Sequence, residues 1–249
     1  MKRISIAFAI LLIICTGAFA QKKLGDYIEI GGVPAFVFYM EESSEHGLAM
    51  SIPAFDEKGL KKVDKLVKKG LLTAEQAEKF KANPLGPFNR QGTGRKKSKE
   101  LFAGLLDRLT DNGQNNQEQI MRYCDEKSIS LQEAFPMQYW AKNLDNGWFI
   151  PGDKELTAFA EFYFGGLGKK HSLGIKFQYH AKDLSSNELI QESLSRMVFY
   201  GLYSSSCHHA DAGFRKLRCE WVPMTGKHWL DIFDLYSGQN PLVCAVHEF

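Results

Sequence analysis

The chain has 249 residues, and its 31 basic and 29 acidic side chains leave a net charge of only +2. That length allows one large domain, or one domain that carries an inserted subdomain. The nearly balanced charge argues against a basic nucleic-acid-binding protein. None of the five cysteines occurs in a C-x-x-C pair, which argues against a zinc-finger type of site.

The first twenty residues have the pattern of a secretory signal. Two basic residues precede an apolar run over 4–14, which is too short for a comfortable membrane span, and a small-x-small cleavage pattern ends at Ala20. We therefore predict a signal peptide over 1–20 and export to the periplasm, the cell surface or the medium. Cys15 raises the alternative of a lipoprotein, but Ile14 stands where a lipobox has a small residue. No later segment is apolar enough to predict a transmembrane span.

The chain after the signal begins with β structure. Residues 27–30 alternate, a Gly-Gly pair turns the chain, and an aromatic-rich strand is predicted over 34–40. A polar turn follows, and residues 48–52 return as the partner strand. The pattern predicts a hairpin.

In residues 54–112 the apolar side chains recur at helical spacing and interrupt this β-rich pattern, so we interpret this segment as an inserted helical subdomain. Their predicted helices include one over 101–109. Residues 56–108 carry 14 basic and 7 acidic side chains. That excess fits either a solvated helical face or contact with an anionic surface.

Helices are also predicted over 117–127 and 135–144. An apolar strand then meets Pro151 and passes directly into a further helix. Asp153 is predicted as the N-cap of that helix. The carboxylate of Glu155 in the first turn is expected to interact favourably with the helix dipole. Four buried core aromatics are predicted in this region: Tyr139, Trp140, Trp148 and Phe159.

The last quarter of the chain has short β signals separated by turn residues. We predict strands over 197–203, 214–222, 229–236 and 242–249, which together form a meandering antiparallel sheet.

Five sequence motifs occur in an order typical of one bacterial family. They lie at 33–39 with His46-Gly47-Leu48, at Tyr139-Trp140-Ala141, at 147–156, at 203–206 and at 241–246. On these motifs the chain resembles exported domains with a C-type lectin-like fold, including the C-terminal domain of collagen-like bacterial adhesins and relatives in gut-dwelling Bacteroidetes. It departs from the family's pattern at Gly152, where serine is usual, and at Ser204, where tryptophan is usual.

The resemblance implies an α+β fold: a C-type lectin-like mixed fold with a meandering antiparallel sheet, two flanking helices and a helical insertion. The predicted domain comprises 21–53 and 113–249, and the basic helical insertion comprises 54–112. The resemblance also implies a binding surface in the late loops and strands. The candidate ligand-binding residues there are Ser205, His208, His209, Asp211, Trp229 and Tyr236.

Metal and catalytic interpretations of the late loops are weaker. His208 and Asp211 are candidate metal ligands, but adjacent histidines in a strand point to opposite faces. The carboxylates near Trp229 lack the sugar-binding signature of calcium-dependent lectins. The serine run over 204–206 lacks the Gly-x-Ser-x-Gly elbow of hydrolases. We therefore predict no catalytic residue and no required cofactor.

Four cysteines remain after signal removal, and an even number permits disulfides in an exported protein. Cys207 with Cys219 would close a small loop, and Cys124 with Cys244 would join a helix to the last strand. Other pairings, or free thiols, remain open.

These features favour a non-catalytic ligand-binding or adhesion-type domain of the bacterial cell envelope. Its partner would be a glycan or a component of the extracellular matrix or envelope, with an anionic surface possible through 56–108 and no nucleic acid. Two alternatives remain: a metal-dependent hydrolase using His208 and His209, and a structural component of a surface assembly.

Overall fold

The structure is a computed structural model that describes residues 22–42, 45–52, 67–70, 73–74, 104–167, 170–171, 177–206, 215–222, 227–234 and 242–249. Its strands are β1 (Tyr27–Ile30), β2 (Val33–Met40), β3 (Gly47–Ser51), β4 (Lys170–His171), β5 (Leu202–Ser204), β6 (Arg215–Val222), β7 (Lys227–Asp234) and β8 (Val246–Glu248). Its helices are α1 (Gly113–Lys127), α2 (Leu131–Ala134), α3 (Pro136–Lys142), α4 (Asp153–Phe164), α5 (Phe177–Leu184) and α6 (Glu188–Tyr200), and a 3₁₀ turn covers Leu106–Arg108.

The described strands form two antiparallel sheets rather than the one meander that was expected. One sheet has the order β1-β2-β3-β8, and the other has the order β4-β7-β6-β5. The predicted hairpin of β2 and β3 is confirmed, with Phe36 opposite Met50 in its register. The α+β class is confirmed, and more helices flank the sheets than the two expected.

Strand β2 is buried on both faces because its side chains alternate between two hydrophobic clusters. Phe36 and Phe38 face the first cluster, in which both rings pack on Phe159 of α4 at centroid distances of 6.4 and 6.1 Å. Val33 and Ala35 face the second cluster, which contains the aromatic residues of α1 and α3. This two-sided burial makes β2 the central strand of the core.

The predicted strand over 197–203 is wrong. Residues Glu188–Tyr200 form helix α6, and only Leu202–Ser204 form a strand. The Asn187 side chain accepts hydrogen bonds from the backbone N–H groups of Leu189 and Ile190, which starts the helix. Apolar side chains on one face of α6 then pack into the first cluster, and this burial outweighs the strand propensity of the aromatic residues at its end.

The predicted helix over 101–109 is also wrong in its described part. From residue 104 the chain forms only a 3₁₀ turn at Leu106–Arg108 and is extended at Leu109. Leu105 is fully buried in the second cluster, so this end of the predicted insertion packs against the main domain. Residues 53–66, 71–72 and 75–103, which hold most of the predicted insertion and its basic stretch, lie outside the described residues.

The remaining core predictions are largely confirmed. Trp140, Trp148 and Phe159 are buried, whereas Tyr139 is half-buried. No helix in the described part of the chain is both long and apolar enough to span a bilayer.

Candidate functional site

The serine run at 204–206 lies in the core and not on a surface loop. All three serines have zero exposed fraction. Strand β5 ends there, and the backbone N–H of Ser205 donates to the Pro151 carbonyl at 2.7 Å. The expectation that Ser205 contacts a ligand at the surface is therefore not met in this structure.

The three serine hydroxyls hold the start of α4 in place. Ser204 Oγ donates to Asp153 Oδ1 at 2.7 Å, and Ser206 Oγ accepts from the Asp153 backbone N–H at 2.9 Å. Ser206 Oγ also donates to the Thr110 carbonyl at 2.8 Å, and Ser205 Oγ donates to the Ile150 carbonyl at 3.2 Å. Because each hydroxyl bonds a buried partner, the serine run has a structural role: it fixes the start of α4.

Asp153 is the first residue of α4 and not its N-cap, which corrects the expectation. Gly152 occupies the N-cap position. The Asp153 carboxylate faces Ser204 and the Arg215 guanidinium, whose Nη1 contacts Oδ2 and whose Nη2 donates to the Ile232 carbonyl at 3.0 Å. This partly buried ion pair joins α4 to strand β6 of the second sheet.

Glu155 supplies the acceptor that a capping Asp153 was expected to supply. Its Oε2 accepts from the backbone N–H groups of Gly152 at 2.7 Å and Gly113 at 2.8 Å, so one carboxylate oxygen serves the starts of both α1 and α4. Burial raises the pKa of Glu155, while these hydrogen bonds act in the opposite direction. We name the set Thr110, Gly113, Asp153, Glu155, the serines 204–206 and Arg215 the polar knot.

The other predicted site residues are not brought together with Ser205 by the described part of the chain. His208, His209, Asp211 and Tyr236 lie outside the described residues, and Trp229 is described only as a backbone position opposite Glu220 and Lys170. Among the described residues, no group of three or more His, Cys, Asp or Glu side chains is placed to hold a metal ion.

The structure tests one of the two disulfides considered, that between Cys124 and Cys244. Cys124 and Cys244 are both free and buried, and they lie in different hydrophobic clusters, so the structure does not join them. Burial raises the pKa of Cys124 to about 11 and raises that of Cys244 as well. Cys207 lies outside the described residues, and the pairing of Cys207 with Cys219 stays a prediction.

An open cleft that the motifs did not indicate lies beside α1. Its volume is about 220 Å³, and it is bounded by one face of α1 and by the chain from Lys142 to Phe149. The α1 face contributes Gln114, Gln117, Glu118 and Met121. Buried Trp148 lies at the other wall and packs edge-on against His247, with ring centroids 5.2 Å apart. We name this feature the α1–Trp148 cleft.

Two residues that line the α1–Trp148 cleft also carry buried polar atoms. Gln117 Oε1 and Trp148 Nε1 are buried without a hydrogen-bond partner among the described residues. Such atoms are uncommon in native proteins. Because both have almost no solvent-accessible surface, they are closed off from the open cleft. Sequence reasoning missed this site because its residues come from a helix face and a loop about 25 positions apart.

Comparison with protein-family models, with curated proteins and with solved structures finds no match to this chain.

Proposed function

We propose that the protein is an exported, non-catalytic ligand-binding or adhesion-type domain of the bacterial cell envelope. The observation that carries the proposal is the contrast between the polar groups in the core and those in the open cleft. The described groups with nucleophilic or acid–base character around the serine run make internal hydrogen bonds. The α1–Trp148 cleft, in contrast, is open and is lined by the exposed polar side chains of Gln114, Glu118, Lys142 and Asp145. Binding fits that arrangement better than chemistry on a substrate.

The proposed C-type lectin-like fold is supported by the way the motif segments meet. Phe149 pairs with Val246, and Ser204 donates to Asp153, so three of the five motifs contact one another. The last strand, β8, lies beside β3, which carries the Gly47-Leu48 part of the N-terminal motif. Sequence motifs that are far apart in the chain thus belong to one structural unit.

The proposed export is supported by the sequence of residues 1–20, where two basic residues, an apolar run and a small-x-small pattern occur in the order of a signal peptide. A partner among glycans, matrix proteins or envelope components is the kind that an exported binding domain would meet.

A binding screen tests the proposal. The purified chain from Gln21 onward is applied to arrays of bacterial and host glycans, matrix proteins and envelope polymers, and captured ligands are analysed by mass spectrometry after prolonged incubation. We expect saturable binding of at least one array component, recovered chemically intact. Conversion of a captured ligand would overturn the non-catalytic part, and the absence of any saturable binding would overturn the proposal as a whole.

A further inference from the structure

Two segments of the chain share the local sequence Asp-Asn-Gly. They are Asp111-Asn112-Gly113 at the start of α1 and Asp145-Asn146-Gly147 beside the α1–Trp148 cleft, and no other asparagine of the sequence precedes a glycine. Asparagine is chemically labile before glycine, because glycine has no side chain to hinder attack by its own backbone nitrogen on the asparagine Cγ. Since the two local sequences match, a difference in their reactivity must come from the fold.

The fold holds the first of these pairs in an unreactive arrangement. Gly113 is buried, and its backbone N–H donates to Glu155 Oε2 at 2.8 Å. The Asn112 side chain caps α1, because its Oδ1 accepts from the backbone N–H of Asn115 at 2.7 Å. Attack would break both hydrogen bonds and open the first turn of α1. Loss of the buried bond at Gly113 should alone slow the attack roughly tenfold to hundredfold.

The fold leaves the second pair open. Asn146 and Gly147 are both exposed, and in the described part of the chain no hydrogen bond engages the Asn146 side chain or the Gly147 backbone N–H. The Asn146 backbone is held on either side, since its N–H donates to Asp145 Oδ1 at 2.8 Å and its carbonyl accepts from His247 Nε2 at 3.0 Å. The attacking nitrogen and the side-chain carbon that it attacks are therefore both accessible.

His247 is placed to promote the attack. A carbonyl oxygen only accepts, so the contact with Asn146 puts the proton of the neutral ring on Nε2. When the Gly147 nitrogen loses its proton, peptide resonance moves negative charge to the Asn146 carbonyl oxygen, where the Nε2 donor stabilises it. The same close approach requires glycine at position 147, because a Cβ atom there would lie 2.7 Å from Nε2 and the φ angle is +90°.

We propose that Asn146 is a site of spontaneous deamidation in the folded protein, promoted by His247, and that the fold protects Asn112. The Gly147 nitrogen loses its proton and bonds to Asn146 Cγ, while the side-chain amino group takes up a proton and leaves as ammonia. The product is a five-membered succinimide ring. Water then opens the ring at one of its two carbonyls and gives aspartate or isoaspartate. The reaction needs no oxidant or reductant, and the inference does not depend on the proposed binding function.

The modification changes the charge of the α1–Trp148 cleft. Asn146 lines the cleft together with Glu118, Asp145 and Lys142, which are all exposed. Either product adds a carboxylate beside the two acidic side chains. The cleft of an aged molecule is therefore more negative than that of a newly made one, which disfavours anionic ligands.

Mass spectrometry of aged protein tests the proposal. The chain from Gln21 is incubated at body temperature and mildly alkaline pH, both folded and in urea, and is then digested rapidly in acid so that its peptides do not react. In the folded chain we expect Asn146 to deamidate at least about tenfold faster than Asn112, and in urea we expect similar rates. Equal rates in the folded chain, or an unreacted Asn146 there, would overturn the proposal.

Variants at position 247 separate promotion from simple exposure. Phenylalanine keeps an aromatic ring against Trp148 but cannot donate to the Asn146 carbonyl. His247→Phe should therefore slow deamidation about threefold to tenfold, the effect of one hydrogen bond, and His247→Gln, which retains an N–H donor, should recover part of the rate. Circular dichroism and melting temperature check that each variant folds. An equal or faster rate in folded His247→Phe would contradict the role of His247.

Ion-exchange chromatography gives an independent readout of the site. Deamidation adds a negative charge, so aged wild-type protein should form a more acidic species. Asn146→Gln keeps the amide but does not form the ring readily, and this variant should lack the early acidic species. Persistence of that species in folded Asn146→Gln would assign the reaction to another residue and overturn the proposal.

Discussion

Replacing Glu155 with alanine tests whether the polar knot organises the fold. One oxygen of Glu155 accepts the backbone N–H groups of Gly113 and Gly152, at 2.8 and 2.7 Å, and the side chain is 2% exposed. Alanine removes the acceptor from both helix starts at once. A buried donor left without a partner costs about 1–3 kcal/mol, so the free energy of unfolding should fall by about 2–5 kcal/mol.

Glutamine at position 155 is the matched control because it keeps an oxygen acceptor and nearly the same volume. Burial raises the pKa of Glu155 in the folded chain. The part of its contribution to stability that depends on protonation is therefore fully present below the ordinary pKa of about 4.5 and is lost as pH rises through the raised folded value, whereas the two backbone hydrogen bonds are made by either form. Glu155→Gln does not titrate, so its stability relative to wild type should increase as pH rises over that window.

Urea denaturation followed by circular dichroism measures both effects. With a slope of about 3 kcal/mol per molar urea, Glu155→Ala should lower the midpoint by about 1 M, whereas Glu155→Gln should shift it much less at neutral pH. The reasoning would be refuted by a loss under about 1 kcal/mol in the alanine variant, or by a pH profile of Glu155→Gln parallel to that of wild type.

Three further predictions concern the knot and the thiols. Arg215→Met removes the guanidinium that contacts buried Asp153, so the free energy of unfolding measured with urea should fall by about 2–4 kcal/mol. Adding Asp153→Asn to this variant should recover part of the loss. A loss under about 0.5 kcal/mol in the single variant would contradict a structural ion pair. Ser205→Ala should lower stability by about 1 kcal/mol and leave ligand affinity on the array unchanged, whereas lost affinity in a folded variant would return the serine run to the binding surface. Cys124 and Cys244, buried thiols with raised pKa, should resist alkylation at pH 8 until the chain is unfolded, and rapid labelling read by mass spectrometry would contradict their burial.

Features fixed by neighbouring residues could be predicted from the sequence. The β2–β3 hairpin follows from alternation and turn residues, and α4 follows from its helical spacing after Pro151. The strand wrongly predicted over 197–203 shows the limit of such signals. Its residues favour β structure locally, but a helix begins at the Asn187 cap and is retained by burial of its apolar face.

The polar knot could not be predicted because its partners are far apart in sequence. Ser204 is 51 positions from Asp153, and Ser206 is 96 positions from Thr110. The departure from the family pattern at Gly152 gains a physical explanation from the same contacts. A Cβ atom at position 152 would lie 2.3 Å from the Asp111 carbonyl, so the chain that leaves the predicted insertion leaves no space for serine there.

Equilibrium binding with and without a chelator tests the central claim most directly. The chain from Gln21 is analysed for bound metal, and its affinity for the best array ligand is then measured before and after treatment with EDTA. The proposed function predicts no stoichiometric metal and the same affinity in both conditions. Stoichiometric zinc or calcium, together with loss of binding on chelation, would contradict this account and move the site to the region of His208, His209 and Asp211.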